Sequence, residues 1–123
     1  MSDKIEIEWL DEPEEHNYPA ALSYISLVYN EQKVAFYLKK LKRSHISEFK
    51  AKDIFRASGL SLLGISNIRF KKDQRKIKSG HELSPLLLVR DPNNGKVIIA
   101  DGYHRFCAVY SYDEDVIIPC KIV

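Results

Sequence analysis

Apolar residues recur at helical spacing early in the chain and as short, nearly continuous runs late in it. The acidic stretch Asp11-Glu12-Pro13-Glu14-Glu15 reads as a surface loop. Asn17-Tyr18-Pro19 then supplies a cap and a first-turn proline to open a helix. Ala20, Ala21, Tyr24, Leu27 and Val28 form its apolar stripe; after Asn30, Val34, Tyr37, Leu38 and Leu41 form a second one. The segment Phe49–Arg56 fits a strand or a helix, and Ser58-Gly59-Leu60 closes it. Phe70–Lys78, with Phe70, Gln74 and Ile77 on one face, predicts a basic helix stopped by Ser79-Gly80.

Leu86-Leu87-Leu88-Val89-Arg90 and Lys96-Val97-Ile98-Ile99-Ala100 predict two strands of a hairpin, joined by the turn-rich Asp91-Pro92-Asn93-Asn94-Gly95. A helix from Tyr103 buries Phe106, Val109 and Tyr110, and Ile117–Val123 is a final strand. Pro119 cannot donate to a ladder, which predicts an edge position or the start of that strand.

The 123 residues make one domain, large enough to bury a core without disulfide or metal staples. No apolar run has membrane-spanning length, and the first residues lack a signal-peptide core, so a cytoplasmic protein is expected. Cys107 and Cys120 have no metal-type spacing, and no protein-held metal site is expected. The net charge of +2 is unevenly spread: −6 over residues 1–38, +10 over 39–90 and −2 over 91–123. A basic zone suits a polyanion, either nucleic acid or a small phosphate ligand. Lys39-Lys40-Leu41-Lys42-Arg43 needs no ligand, because cations at a helix C-terminus complement the macrodipole.

The chemistry concentrates at Asp101-Gly102-Tyr103-His104-Arg105, a strand-to-helix turn. Gly102 permits positive φ and close approach of a ligand, and the first N–H groups of the following helix point at whatever sits there. His104 and Arg105 oppose the helix dipole, and a bound anion reverses that sign. Asp101 either positions Arg105, binds a metal that accompanies phosphates, or caps the helix and pairs with Arg105 with no ligand involved.

From about Phe49 to Val123 the sequence resembles the ParB/sulfiredoxin superfamily. The resemblance lies in motif order: the basic helix Phe70–Lys78, the strand Leu83–Val89, Ile98–Arg105 with its G-x-H-R-type turn, and Ile118-Pro119-Cys120-Lys121-Ile122-Val123. It implies an α+β fold, a small mixed sheet with packed helices, here preceded by an N-terminal helical extension over residues 1–45. It also implies ATP or CTP, with Mg²⁺, bound through Gly102, His104 and Arg105. Lys72, Arg75, Lys76 and Ser79 would add contacts from the basic helix, and Lys52 or Arg56 from the segment before it.

The departures narrow the function. Sulfiredoxins carry a catalytic cysteine immediately before His-Arg, where this chain has Tyr103. Partition-type ParB proteins carry Gly-Glu-Arg-Arg and a following helix-turn-helix domain; here the turn is Gly-Tyr-His-Arg and the chain stops. The D-G-x-H-R variant resembles free-serine kinases of the superfamily, which implies a catalytic role for Asp101, with Glu48 or Asp53 as a second carboxylate by position. The leading expectation is a nucleotide-binding domain acting as a phosphotransferase or nucleotide hydrolase. The alternatives are a nucleic-acid-binding or nuclease-like domain and a small regulatory protein that forms a homodimer through its N-terminal helices.

Overall fold

A computed structural model describes residues 6–61 and 68–123, without the side chains of 68–70. Among these residues five α-helices pack on a four-stranded mixed sheet. The chain runs α1 (Asn17–Ile25), α2 (Glu31–Arg43), β1 (Ser47–Lys50), α3 (Ala51–Ser58) and α4 (Ile68–Lys78). It continues with β2 (Leu86–Asp91), a short 3-10 turn (Pro92–Asn94), β3 (Lys96–Asp101), α5 (Tyr103–Tyr112) and β4 (Ile117–Ile122). No helix among the described residues is long and apolar enough to cross a membrane.

The sheet order is β1-β4-β2-β3. β4 pairs antiparallel with β1 and parallel with β2, and β2 forms the antiparallel hairpin with β3. Burial on both faces explains the unbroken apolar run of β2, because successive side chains point to opposite sides. Leu86 and Leu88 join the core beneath α3, α4 and α5, together with Ile54, Ile77, Phe106 and Val109. Leu87 and Val89 join a second core with Tyr18, Ala21, Ile25, Val34 and Leu41 of α1 and α2. The first helices are therefore one of three layers, rather than an appendage to a core that starts at residue 49.

Two local expectations change. Phe49–Arg56 is both strand and helix: β1 ends at Lys50 and α3 begins at Ala51 with no linker. Ala51 and Lys52 donate their N–H groups to the Val116 and Glu114 carbonyls, which anchors the start of α3 on the segment before β4. Pro119 does not mark an edge strand, since β4 lies between β1 and β2. The parallel register with β2 begins only at Cys120, so Pro119 is paired on one side, opposite Glu48, where its missing donor is tolerated.

The other predicted elements form, but α1 ends at Ile25, and Asn17 lies inside it rather than capping it. Its buried face is Tyr18, Ala21 and Ile25, while Ala20, Tyr24, Leu27 and Val28 of the expected stripe are exposed. The Asn30 side chain accepts from the Lys33 N–H and caps α2, whose last turn carries Lys40, Lys42 and Arg43. Part of the basic zone has local work here, for Lys40 lies over the Phe36 ring and Lys42 over the Tyr18 ring. Cys107 and Cys120 are both buried, and burial pushes the Cys120 thiol up to about 12, which leaves it protonated and unreactive at neutral pH.

Candidate functional site

Four chain segments meet around a cavity of about 210 Å³. The end of β3 and the first turn of α5 contribute Asp101, Gly102, Tyr103, His104 and Arg105; α4 contributes Asp73 and Lys76. Glu82, Leu83 and Ser84 come from the approach to β2, and Glu14, His16 and Asn17 from the entry to α1.

The turn into α5 depends on Gly102. Its φ of +105° lies in the left-handed region, and a Cβ there would stand 2.4 Å from Leu86 Cδ2 and 2.8 Å from Arg105 Nη2. Gly102 is also the helix N-cap and has no side chain to offer, while its carbonyl accepts from the Phe106 N–H at 2.8 Å. The N–H groups of Tyr103, His104 and Arg105 consequently find no partner among the described residues. No acidic residue occupies that first turn. Orphan donors at the positive end of a helix dipole are the kind of group that an anion would satisfy.

The start of α1 differs. Asn17 and Tyr18 donate backward to the Glu14 and Glu15 carbonyls, Pro19 has no donor and Ala20 bonds the His16 carbonyl. That helix end lends its dipole to the cavity and no free amide.

Arg105 is held by the fold. Its Nε donates to the Ser84 carbonyl at 3.1 Å, and Nη2 donates to the Pro85 carbonyl at 3.3 Å and to Asp101 Oδ2 at 3.1 Å. Nη1 makes no bond among the described residues, so one edge of the guanidinium remains available at the cavity wall. Asp101 pairs with Arg105 and does not cap the helix, since Gly102 fills that position.

Opposite this turn stands α4, docked on α5 through Gln74, whose side-chain amide donates to the Ser111 hydroxyl at 3.1 Å and whose carbonyl accepts from Tyr112. Asp73 and Lys76, three residues apart, share the helix face turned to the cavity. Burial raises the Asp73 carboxyl above the usual carboxylate range, although Lys76, Arg105, His104 and Lys72 all favour its ionised form. Burial likewise raises the Tyr103 phenol, which donates a hydrogen bond to the Ser61 carbonyl.

The residues singled out from the sequence divide accordingly. Asp101, Gly102, His104, Arg105 and Lys76 line the one cavity, and Lys72 reaches it through its charge on Asp73. Arg75 is exposed on α4 and lines no part of it. The Ser79 hydroxyl turns back to the Arg75 and Lys76 carbonyls and to His81. Lys52 pairs with Asp115 at 2.7 Å beyond the C-terminal end of α5, a helix about 15 Å long whose other end carries the turn. Arg56 lies on α3 away from the cavity, Glu48 is exposed on β1, and Asp53 lines a separate, mostly apolar hollow beside Arg90.

Asp73, Glu82, Ser84 and the entry to α1 were not legible as site residues. The only local signal for Asp73 is a lone acid within a run of bases. Glu14 and His16 reach the cavity through the tertiary fold, with Glu14 accepting from the Ser84 hydroxyl at 2.5 Å. No group of three or more His, Cys, Asp or Glu side chains among the described residues is arranged to hold a metal ion. Mg²⁺ would fit as a companion of phosphate oxygens with one or two carboxylates, the usual mode for that ion. No protein-family model matches the chain, and neither a curated protein nor a solved structure does.

Proposed function

We propose that this protein binds the phosphates of a nucleoside triphosphate, ATP or CTP, at the start of α5 and transfers or hydrolyses the terminal phosphoryl group. The observation that carries the reading is the set of unpartnered N–H groups at Tyr103, His104 and Arg105, opening into the cavity that Lys76 also lines. Lys76 supplies positive charge and His104 a ring N–H donor from two sides of the cavity, and the pinned Arg105 presents Nη1 from a fixed position. Of the four carboxylates that line the cavity, Asp101 is paired with Arg105, and Lys76 and a Mg²⁺ accompanying the phosphates would offset Glu14, Asp73 and Glu82.

A native-state ligand raises the melting temperature by mass action. ATP or CTP with Mg²⁺ should therefore stabilise the protein, and Lys76→Ala and His104→Ala should each diminish the shift while leaving the unliganded protein folded. Absence of a shift with all four ribonucleoside triphosphates sinks the reading.

A second reading concerns self-association through the N-terminal helices. Leu22, Tyr24, Leu27, Val28 and Phe36 are exposed on α1, α2 and their connection, with Leu27 at 85% exposure. A homodimer would bury them. Sedimentation of the wild type and of Leu27→Lys/Phe36→Lys tests this; a monomeric wild type at high concentration rules it out.

A further inference from the structure

We propose that Asp73 is the proton acceptor of the phosphoryl-transfer step, the carboxylate that takes the proton from the attacking hydroxyl. This rests on the nucleotide reading above and assigns the chemistry within it.

The argument begins with what each carboxylate of the cavity is doing. Asp101 is committed to Arg105 and Glu14 to Ser84, while Glu82 is exposed to solvent. Asp73 is half-buried in the cavity wall, and no hydrogen bond or ion pair ties its carboxylate to another of the described residues. A partly desolvated carboxylate that no described residue ties down, facing a cavity, is a candidate for chemistry.

Its position suits the role. Asp73 projects from α4 into the cavity that faces the α5 amides, so the terminal phosphorus would lie between the anion-binding turn and this carboxylate. Lys76 stands one turn along the same helix face, with Lys72 next to Asp73 in sequence. His104 and Arg105 approach from α5, Asp101 from the end of β3, Glu82 from the lead into β2, and Glu14 and His16 from the entry to α1. Burial moves the Asp73 carboxyl toward the working pH and makes it a better base, while the surrounding cations keep an ionised fraction available.

The step balances within the site. An acceptor hydroxyl, or water, forms a bond from its oxygen to the γ-phosphorus. The bond from that phosphorus to the β,γ-bridging oxygen breaks, and its electron pair leaves with the nucleoside diphosphate. The hydroxyl proton passes to an Asp73 carboxylate oxygen. The open amides and Lys76 offset the charge on the transferring group.

Asp73→Asn tests this, because it keeps the shape and removes only the basic oxygen. With Mg²⁺-ATP, the variant should show a thermal shift at least as large as the wild type. Its release of ADP, with water or a panel of small alcohols as acceptor, should fall by about 10²–10⁴-fold, the range for a removed general base. Asp73→Glu should recover part of the rate, and the wild-type rate should fall at acid pH along a single titration that Asp73→Asn lacks. ADP release from Asp73→Asn within about threefold of wild type overturns the proposal. So does a wild type that binds ATP and releases no ADP with any acceptor. A wild type that binds no nucleotide overturns the underlying reading as well, and the thermal shift separates that outcome from the other two.

Discussion

Asp101 Oδ2 and Arg105 Nη2 lie 3.1 Å apart across the first turn of α5, with both side chains less than one-fifth exposed. The same guanidinium ties down the Ser84 and Pro85 carbonyls, so it braces the segment that enters β2. Arg105→Ala removes the brace and leaves a mostly buried carboxylate and two carbonyls short of a donor. The expected loss is about 2–3 kcal/mol, less than for a fully buried pair because the site is partly wet. Urea unfolding measures it. Arg105→Lys should also destabilise, since an ammonium cannot reproduce the fork. Loss of nucleotide binding in Arg105→Ala is therefore ambiguous, and Lys76 and His104 are the cleaner probes.

Gly102→Ala is expected to be as damaging as Arg105→Ala. The new methyl meets Leu86 Cδ2 in a core layer and Arg105 Nη2 in the brace, on a backbone with φ of +105°. Positive-φ strain and core overpacking each cost about 1–3 kcal/mol. Gly95→Ala is the control: its φ is +64° and nothing lies within 4 Å of the added Cβ, so only the backbone term applies. A thermal melt comparing the two variants should find Gly102→Ala clearly the worse.

Asp73 makes the site's stability depend on pH in an unusual direction for a carboxylate. Its folded-state pKa is raised, with burial as the largest cause. The folded state thus binds the proton more tightly than the unfolded state, where the value is about 3.9. The stabilising contribution is complete below that unfolded value and is lost as pH rises through the folded one. Asp73→Asn should consequently melt higher than wild type at neutral pH, and the two curves should converge toward about pH 3. A variant less stable than wild type at neutral pH would mean that the carboxylate serves the fold after all.

Lys121 is 2% exposed, yet its ammonium reaches Glu12 Oε1 at 3.1 Å and the Lys42 carbonyl at 3.2 Å. Burial pulls its pKa down, but the Tyr18 and Glu12 side chains together outweigh that and hold it above the usual lysine range. Its stabilising share is present below the unfolded value of about 10.4 and is lost as pH climbs through the folded one. Lys121→Met keeps the packing of the stem and should cost about 1 kcal/mol or less at neutral pH, whereas Lys121→Ala should cost about 2 kcal/mol or more. Denaturant titrations should also show a steeper alkaline loss for wild type than for Lys121→Met.

Much of this fold was legible in the sequence, and the exceptions have physical causes. The hairpin of β2 and β3, the Gly102 turn and the restart of the helical pattern after Asn30 rest on local signals, and the structure has them where the pattern predicts. Phe49–Arg56 was ambiguous because a strand and a helix abut at Lys50, so neither periodicity lasts long enough to dominate. Pro119 was misplaced because the missing donor speaks only of one residue on one side, and β2 joins β4 one residue later. The turn of the site was visible as a string, whereas Asp73 and the α1 entry reach it through packing that no window of sequence contains.

The Glu12–Lys121 pair joins the approach to the first helix with the last strand in chain order. β4 also pairs with both β1 and β2, so the sheet has no centre until it arrives. Residues made early therefore have no lasting partner: α1 and α2 must wait, apolar faces uncovered, until the β2–β3 hairpin and then β4 have been made. Folding should be comparatively slow for a domain of this size, since the closing contacts span large sequence separations. A truncation series halted before Ile117 should yield nascent chains that remain protease-sensitive.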